Sequence, residues 1–243
     1  MIGLGLFDEK DISVRGLETV KNCDYIYLES YTSKLQCDNS KLEELYGKKI
    51  IIADRELVEK KADEIIDKAR ESNVAFLVIG DPMCATTHID LRLRAKEKAI
   101  SVEVIHNTSI ISAIGIIGLE VYKYGKATSI PFMIRDNNEI KAPVEVYEMN
   151  NKNGLHTLFL LDLDPINNKF MSIREATDYL ISKGINGEVE AVGCSHIGSS
   201  EQVIRSSSLK NLGNYDYGTA PYAIVIPGKM HFMEEDALKL WKE

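Results

Sequence analysis

Val74-Ala75-Phe76-Leu77-Val78-Ile79 is an apolar run with no polar interruption, and Gly80-Asp81-Pro82 ends it. A strand with one face in water alternates apolar and polar residues, whereas a strand covered on both faces is apolar throughout. The run therefore predicts the inner strand of a parallel sheet with helices on either side. Its surroundings agree. Val58, Ala62, Ile65, Ile66 and Ala69 recur at helical spacing between Arg55 and Ser72, with charge on the opposite face. A helix from Thr87 to Ala99, a strand from Val102 to Ile105, a loop over His106–Ser109 and an apolar helix from Ile110 to Leu119 follow. Upstream, Ile2–Leu6 reads as a short strand, and Ser13 caps a helix to Cys23 with Val14, Leu17 and Val20 on one face. Tyr25–Leu28 and Lys49–Ala53 are strands. This alternation predicts a layered, mainly parallel α/β fold.

Near Pro131 the texture changes. Asp136, Asn137, Asn138, Pro143 and the Asn150–Gly154 stretch break the pattern, which places a domain boundary at residue 133. Residues 1–132 form an N-terminal α/β domain with the glycine turn and the Gly-Asp-Pro loop, and residues 133–243 a second α/β domain. In the second, His156–Asp162, Glu190–Ser195 and Tyr222–Ile226 read as strands, Ser172–Lys183 as a helix, and a last helix runs through Trp241. Fewer helices separate these strands, so a mixed sheet is expected.

Charge narrows the function classes. Lys plus Arg total 29 against 37 for Asp plus Glu, a formal charge of −8, which argues against a protein that lives on phosphate backbones. No window reaches the roughly 18 apolar residues of a membrane span, and Met1–Leu6 is too short for a signal-peptide core, so an intracellular chain is expected. Cys23, Cys37, Cys84 and Cys194 are scattered, and the five histidines lack ligand spacing; neither disulfides nor a metal is expected.

Gly3-x-Gly5 after a strand, with Glu29 at the end of the next, invites a dinucleotide-binding reading. It fails because Asp8 stands where the third glycine should be, beside a would-be pyrophosphate. Gly80-Asp81-Pro82 is more informative, because open α/β sheets place ligands at carboxyl ends of strands. There Asp81 offers a carboxylate to amines or hydroxyls, although a turn closed by an Asx hydrogen bond would look the same. Leu4-Gly5-Leu6, His106–Ile110 and Leu161-Asp162 end other strands and could join one pocket. Such a pocket, of backbone, Ser109, Asp81 and aliphatic side chains, suits a nucleoside with an amino-acid tail better than hydrolysis. Ser109 lacks a G-x-S-x-G setting, nothing near Cys84 lowers its pKa, and His106 and His196 are lone loop histidines. Arg92, Arg94, Lys96 and Lys98 read as a solvated helix face or, less simply, a docking patch.

Several stretches together resemble the diphthine synthase family of the tetrapyrrole-methylase superfamily. They are Ile2-Gly3-Leu4-Gly5-Leu6, Val74 through Pro82, Ala85-Thr86-Thr87-His88 and Val104-Ile105-His106-Asn107-Thr108-Ser109-Ile110. Tyr31-Thr32-Ser33, Gly118-Leu119, Tyr122-Lys123, His156-Thr157-Leu158, Leu161-Asp162 and Pro227-Gly228-Lys229 extend the resemblance over nearly the whole chain. Tyr27-Leu28-Glu29 and Ala53-Asp54-Arg55-Glu56 are nearer the eukaryotic versions than the archaeal ones. The resemblance implies two α/β domains in a cytoplasmic homodimer, with S-adenosyl-L-methionine in the interdomain cleft. Carried over by position, the cofactor contacts fall on Leu6, Asp81, Cys84, Ser109, Ile110, Leu161, Ile197 and Tyr222. Tyr222 replaces a usual histidine, Ser195-His196-Ile197 replaces Ala-Arg and a small apolar residue, and the chain starts two or three residues later than its relatives.

The implied substrate is a histidine of translation elongation factor 2 that carries a 3-amino-3-carboxypropyl group. Its amine is methylated to a trimethylammonium and, in the eukaryotic branch, its carboxylate to a methyl ester. The amine must lose a proton before each attack, and His106, Asp162 or solvent could take it. The competing readings are a sister methyltransferase for a tetrapyrrole or ribosomal RNA, and a non-catalytic module that binds the factor.

Overall fold

The computed structural model describes residues 1–84, 86–132 and 141–242, and it divides into two units, Met1–Ile111 and Ser112–Glu243. The first unit contains β1 (Ile2–Gly3), α1 (Val14–Asn22), β2 (Tyr25–Glu29), α2 (Asn39–Tyr46), β3 (Ile50–Ala53), α3 (Arg55–Glu59), α4 (Ala62–Lys68), β4 (Val74–Val78) and α5 (Ile89–Glu97). Its sheet is parallel, in the order β1-β4-β2-β3, and Ile105 bridges to Ile2 in parallel. β4 is the inner strand that its sequence predicts. Ala75 and Leu77 enter one buried cluster with Val20 of α1, while Phe76 and Val78 enter another with Ile65 of α4 and Leu91 of α5. Successive side chains thus feed two cores on opposite faces of one sheet.

Several first-unit expectations need correction. Val20 is buried and Leu17 packs against the core as expected, but Val14 is 75% exposed and Gly16 faces inward; a Cβ on Gly16 would lie 3.1 Å from Ile2 Cγ2, so the helix comes close because that residue has none. The helix expected over Arg55–Ser72 is two. Lys60 and Lys61 both donate to the Glu56 carbonyl, which ends α3 before α4 begins. The apolar stripe survives the break, because Val58, Ala62, Ile65 and Ile66 share one cluster. Val102–Ile105 is not a full strand: Ile105 bridges to β1, its N–H donating to Met1 O and its carbonyl accepting from Gly3 N, while Val102 packs against the cluster of Phe76 and Val78. The helix expected over Ile110–Leu119 is α6 (Ile110–Ala113) followed by a tight 3-10 turn, Ile114–Ile117, ended by Gly118 at φ 97°. Arg94 and Lys98 form ion pairs with Asp63, Asp67 and Asp90, so part of the basic stripe ties α5 to α4.

The second unit continues with β5 (Thr128–Ile130), α7 (Ala142–Lys152), β6 (Thr157–Leu161), the hairpin of β7 (Leu163–Asp164) and β8 (Lys169–Phe170), and α8 (Ile173–Ser182). It ends with β9 (Glu190–Ser195), β10 (Val203–Ser208), α9 (Leu209–Leu212), β11 (Tyr222–Ile226) and α10 (Phe232–Lys239). The sheet order is β10-β9-β11-β6-β5, antiparallel except for the β5–β6 pair, hence mixed. Ser172 and Glu175 close a capping box that starts α8 where the sequence puts it. Residue 133, the expected boundary, lies outside the described residues, as do Asp136, Asn137 and Asn138. The division falls earlier, at residues 111 and 112. β5 explains why: Ile130 is fully buried and pairs with Leu161, so the chain ahead of residue 133 already belongs to the second sheet.

Candidate functional site

The carboxyl ends of β1 and β4 are adjacent, and the chain leaving β4 returns through α5 to Ile105, beyond β1, while the chain leaving β1 returns to β2 on the other side. Ligands of α/β sheets gather at carboxyl ends of strands, and these two ends lie side by side. Gly5 and Gly80 face each other there, exchanging backbone hydrogen bonds of 3.3 and 2.7 Å. Asp81 follows, its side chain only 4% exposed. Its Oδ1 accepts from Met83 N at 2.8 Å, and its Oδ2 from Asn107 N at 3.0 Å and lies 2.8 Å from His106 Nδ1. Burial alone would raise the Asp81 carboxyl, but these donors outweigh it and hold the group below the usual carboxylate range. Both oxygens are committed to the protein, so Asp81 shapes the site by joining two loops.

Asn107 is the residue that sequence reasoning overlooked. Its Nδ2 donates to Gly3 O at 3.0 Å and to Asp11 O at 2.9 Å, and its Oδ1 accepts from Thr108 N at 2.7 Å. One side chain thus staples β1, the glycine turn and the His106–Ile110 loop. The signal was its place inside the His-Asn-x-Ser-Ile stretch, but an asparagine in a loop is too common to stand out. Leu6 donates its N–H to Asp11 Oδ2 at 3.1 Å, Cys84 donates its N–H to Asp81 O at 3.2 Å, and Ser109 is 5% exposed, its Oγ accepting from Ile111 N. The structure therefore brings Leu6, Asp81, Cys84, Ser109 and Ile110 to one end of one sheet. The Cys84 thiol, though exposed, is raised by partial desolvation and by the neighbouring Asp81 carboxylate, which favours the neutral thiol over a nucleophilic thiolate.

Gly5 has a different reason to be glycine from ligand approach. At φ +80°, a Cβ on it would lie 2.5 Å from Asp11 Cβ, and the Asp11 carboxylate is occupied in accepting Leu6 N and Phe7 N. Gly5→Val is therefore expected to lower the unfolding free energy by about 2–5 kcal/mol, from left-handed strain plus overpacking. Urea denaturation checks this; stability unchanged within error would show that the turn relaxes freely.

In the second unit the remaining candidates also gather. Tyr222 opens β11 opposite Ser195, the last residue of β9, and stands one step beyond the Ala223–Leu160 pair. Leu161 and Tyr222 thus lie at one end of the inner strands of the second sheet, and Ile197 two residues beyond Ser195 at that same end. Leu161 and Ile197 are 6% and 5% exposed. The Tyr222 hydroxyl donates to Gly218 O at 2.6 Å, and His196, at φ +50°, places Nε2 3.0 Å from Thr219 Oγ1. Asp162 closes a turn: Oδ1 accepts from Leu163 N and Oδ2 from Phe132 N, each at 2.9 Å.

A second polar centre in this unit escaped sequence reasoning. Glu234, 1% exposed, accepts from Glu120 N, His231 N, the Lys123 ammonium and His156 Nε2. His156 is fully buried, and because Gly228 N donates to its Nδ1 at 2.9 Å, its one ring proton sits on Nε2, directed at Glu234. Burial opposes ionisation of Glu234, yet the Lys123 ammonium and the other donors bring its carboxyl down to about 2. The group is structural: every hydrogen bond it makes is spent on holding the unit together.

Residues 1–213 match the sequence profile of the Tetrapyrrole (Corrin/Porphyrin) Methylases. The chain belongs to the tetrapyrrole methylase family. This methylase is 42% identical to "Probable diphthine methyl ester synthase" of Arabidopsis thaliana, over 100% of the chain and 97% of the relative. It is also 42% identical to the diphthine synthase of Methanococcus maripaludis, over 98% of the chain and 96% of the relative. A crystal structure of diphthine synthase superimposes with a TM-score of 0.93 at 37% identity, covering 99% of this chain and 94% of that one. The family's chemistry is methyl transfer, and this chain is a methyltransferase. Among the described residues, no helix is long and apolar enough to cross a membrane.

Proposed function

We propose that this methyltransferase uses S-adenosyl-L-methionine to methylate the 3-amino-3-carboxypropyl group on a histidine of translation elongation factor 2, as the methylation step of diphthamide biosynthesis. The observation that carries this reading is likeness along the full chain to relatives named for diphthine or its methyl ester. The site chemistry suits the donor. Within the second unit, Leu161, Ile197 and Tyr222 offer aliphatic and aromatic surface of the kind on which an adenine ring rests. Gly80, at φ +83°, has nothing nearer than 3.9 Å to a would-be Cβ, which leaves room beside the turn for a ligand group. S-adenosylmethionine supplies a methyl group already activated on a sulfonium. What remains for the protein is to align donor and acceptor and to keep water out. The Asp81–Asn107 network sets the geometry of the first-unit loops. The enzyme works in the cytoplasm as a homodimer on this reading.

The nearness of Tyr27-Leu28-Glu29 and Ala53-Asp54-Arg55-Glu56 to eukaryotic versions supports methylation of the carboxylate as well as the amine. Elongation factor 2 bearing the aminocarboxypropyl histidine is expected to gain four methyl groups, one of them lost in mild base. Intact-mass analysis of the modified peptide before and after base treatment reads this directly. A base-insensitive three-methyl product would remove the ester from the proposal, and no added methyl would remove the substrate.

A further inference from the structure

Methylation of an amine starts from an ammonium, which has no lone pair with which to attack. Something must take its proton, and the structure separates the acceptors that the sequence leaves open. Both Asp162 oxygens accept from backbone N–H groups, one of the adjacent Leu163 and one of Phe132 in the chain after β5, and a carboxylate is a weaker base than imidazole. His106 is placed differently. Its Nδ1 lies 2.8 Å from Asp81 Oδ2, the carboxylate is 4% exposed, and the imidazole is 69% exposed. An ionised carboxylate can only accept, so Asp81 fixes the ring proton on Nδ1 and leaves the lone pair on Nε2. A buried carboxylate orienting an imidazole whose far nitrogen is open is the arrangement that serves general bases elsewhere. The pair also sits among the candidate donor-binding residues, since Asp81 begins the loop that carries Cys84, and His106 the loop that carries Ser109 and Ile110.

We propose that His106, oriented by Asp81, takes the proton from the substrate amine before each methyl transfer. This rests on the reading of the substrate as an aminocarboxypropyl histidine. An ammonium N–H passes its proton to His106 Nε2. The freed lone pair forms the new N–C bond while the methyl's bond to sulfur breaks, and sulfur keeps that pair as a neutral thioether. The exposed imidazolium then gives its proton to water before the next round. Ester formation differs, because the carboxylate already has lone pairs and no proton is released. His106 therefore matters for N-methylation and not for O-methylation. Beside the pair, the exposed Cys84 thiol is raised by partial desolvation and by the Asp81 carboxylate and does not compete for the proton.

The test uses the full chain with His106→Gln and His106→Gly, and elongation factor 2 bearing the aminocarboxypropyl histidine, unmethylated or already trimethylated. Expected for His106→Gln are S-adenosylhomocysteine affinity within about threefold of the unmodified chain by calorimetry and amine methylation slower by about 100-fold or more near neutral pH. Esterification of the trimethylated substrate should be unchanged. Its residual amine rate should keep climbing about tenfold per pH unit where the unmodified enzyme levels off, and added imidazole should restore His106→Gly. Full amine methylation by His106→Gln overturns the inference. So does joint loss of S-adenosylhomocysteine binding, amine methylation and ester formation without rescue by imidazole, which is the pattern of a structural residue. An unmodified enzyme inert on both substrates overturns the substrate reading and this inference with it, whereas a competent enzyme with an equally competent His106→Gln overturns this inference alone.

Discussion

Glu234→Ala is expected to destabilise the second unit by about 3–5 kcal/mol, the range for removing one partner from a buried charged network. The mutation deletes no large apolar surface; its cost comes from the donors it strands. The Lys123 ammonium, the Glu120 and His231 N–H groups and the fully buried His156 Nε2–H all lose their acceptor. Each buried donor left without a partner costs about 1–3 kcal/mol, less what relaxation recovers. Thermal unfolding of the variant should show this as a midpoint lower by about 6–20 °C. Glu234→Gln should recover only part of the loss, because an amide offers one acceptor oxygen and turns an N–H₂ toward donors. A midpoint within 2 °C or so of the unmodified chain would show that the network contributes nothing net.

The same centre should make the fold sensitive to acid. Glu234 has its folded value depressed to about 2, so its contribution is complete above its unfolded value near 4.5 and is lost as the pH falls from there towards 2. The His156 ring, pushed down chiefly by burial, stays neutral in the fold while the unfolded chain takes up a proton below about 6.5. Both groups act with the same sign: stability should begin to fall below about pH 6.5 and fall more steeply below 4.5. Protonated His156 would also present an N–H to the Gly228 N–H that now donates to it.

The inner strand at Val74 was legible because burial on both faces leaves an uninterrupted mark in the sequence, and Ser172 with Glu175 announced the start of α8 by a local bond. What depends on distant partners was not legible. β5 is three residues, recognisable as a strand only through Ile130 pairing with Leu161, and β10 carries serines, with Ile204 and Ser206 turned inward. The candidate sites behaved likewise. Sequence could assign Gly5, Asp81 and His106 to strand ends, but not that Asp11 fills the space beside Gly5 or that Asp81 grips His106. Lys123, His156 and Gly228 lie in stretches that carry the resemblance; Lys123 and His156 meet at Glu234, a residue in none of those stretches, and Gly228 orients His156. Their shared pattern reflects one structural centre.

Asp81→Ala is expected to abolish S-adenosylhomocysteine binding and lower methyl transfer by at least about 100-fold, with a stability cost of about 2–4 kcal/mol. A surface turn carboxylate would give a small loss of binding on an intact fold; the observed burial argues for the larger result. Removing the carboxylate leaves Met83 N and Asn107 N without an acceptor and releases His106. Asn107 still staples Gly3 and Asp11, so β1 should keep its place while the loops after β4 and Ile105 separate from each other. Asp81→Asn discriminates between a need for shape and a need for charge. Its amide fits the same space, but one oxygen must serve where two did, and its N–H₂ would meet a backbone N–H at one of the two positions. Its loss of function should therefore approach that of alanine, and hydrogen exchange should speed at Met83 and Asn107 in both variants. Normal S-adenosylhomocysteine affinity in Asp81→Asn, with exchange at those amides unchanged, would show that the loops are held together by contacts other than Asp81.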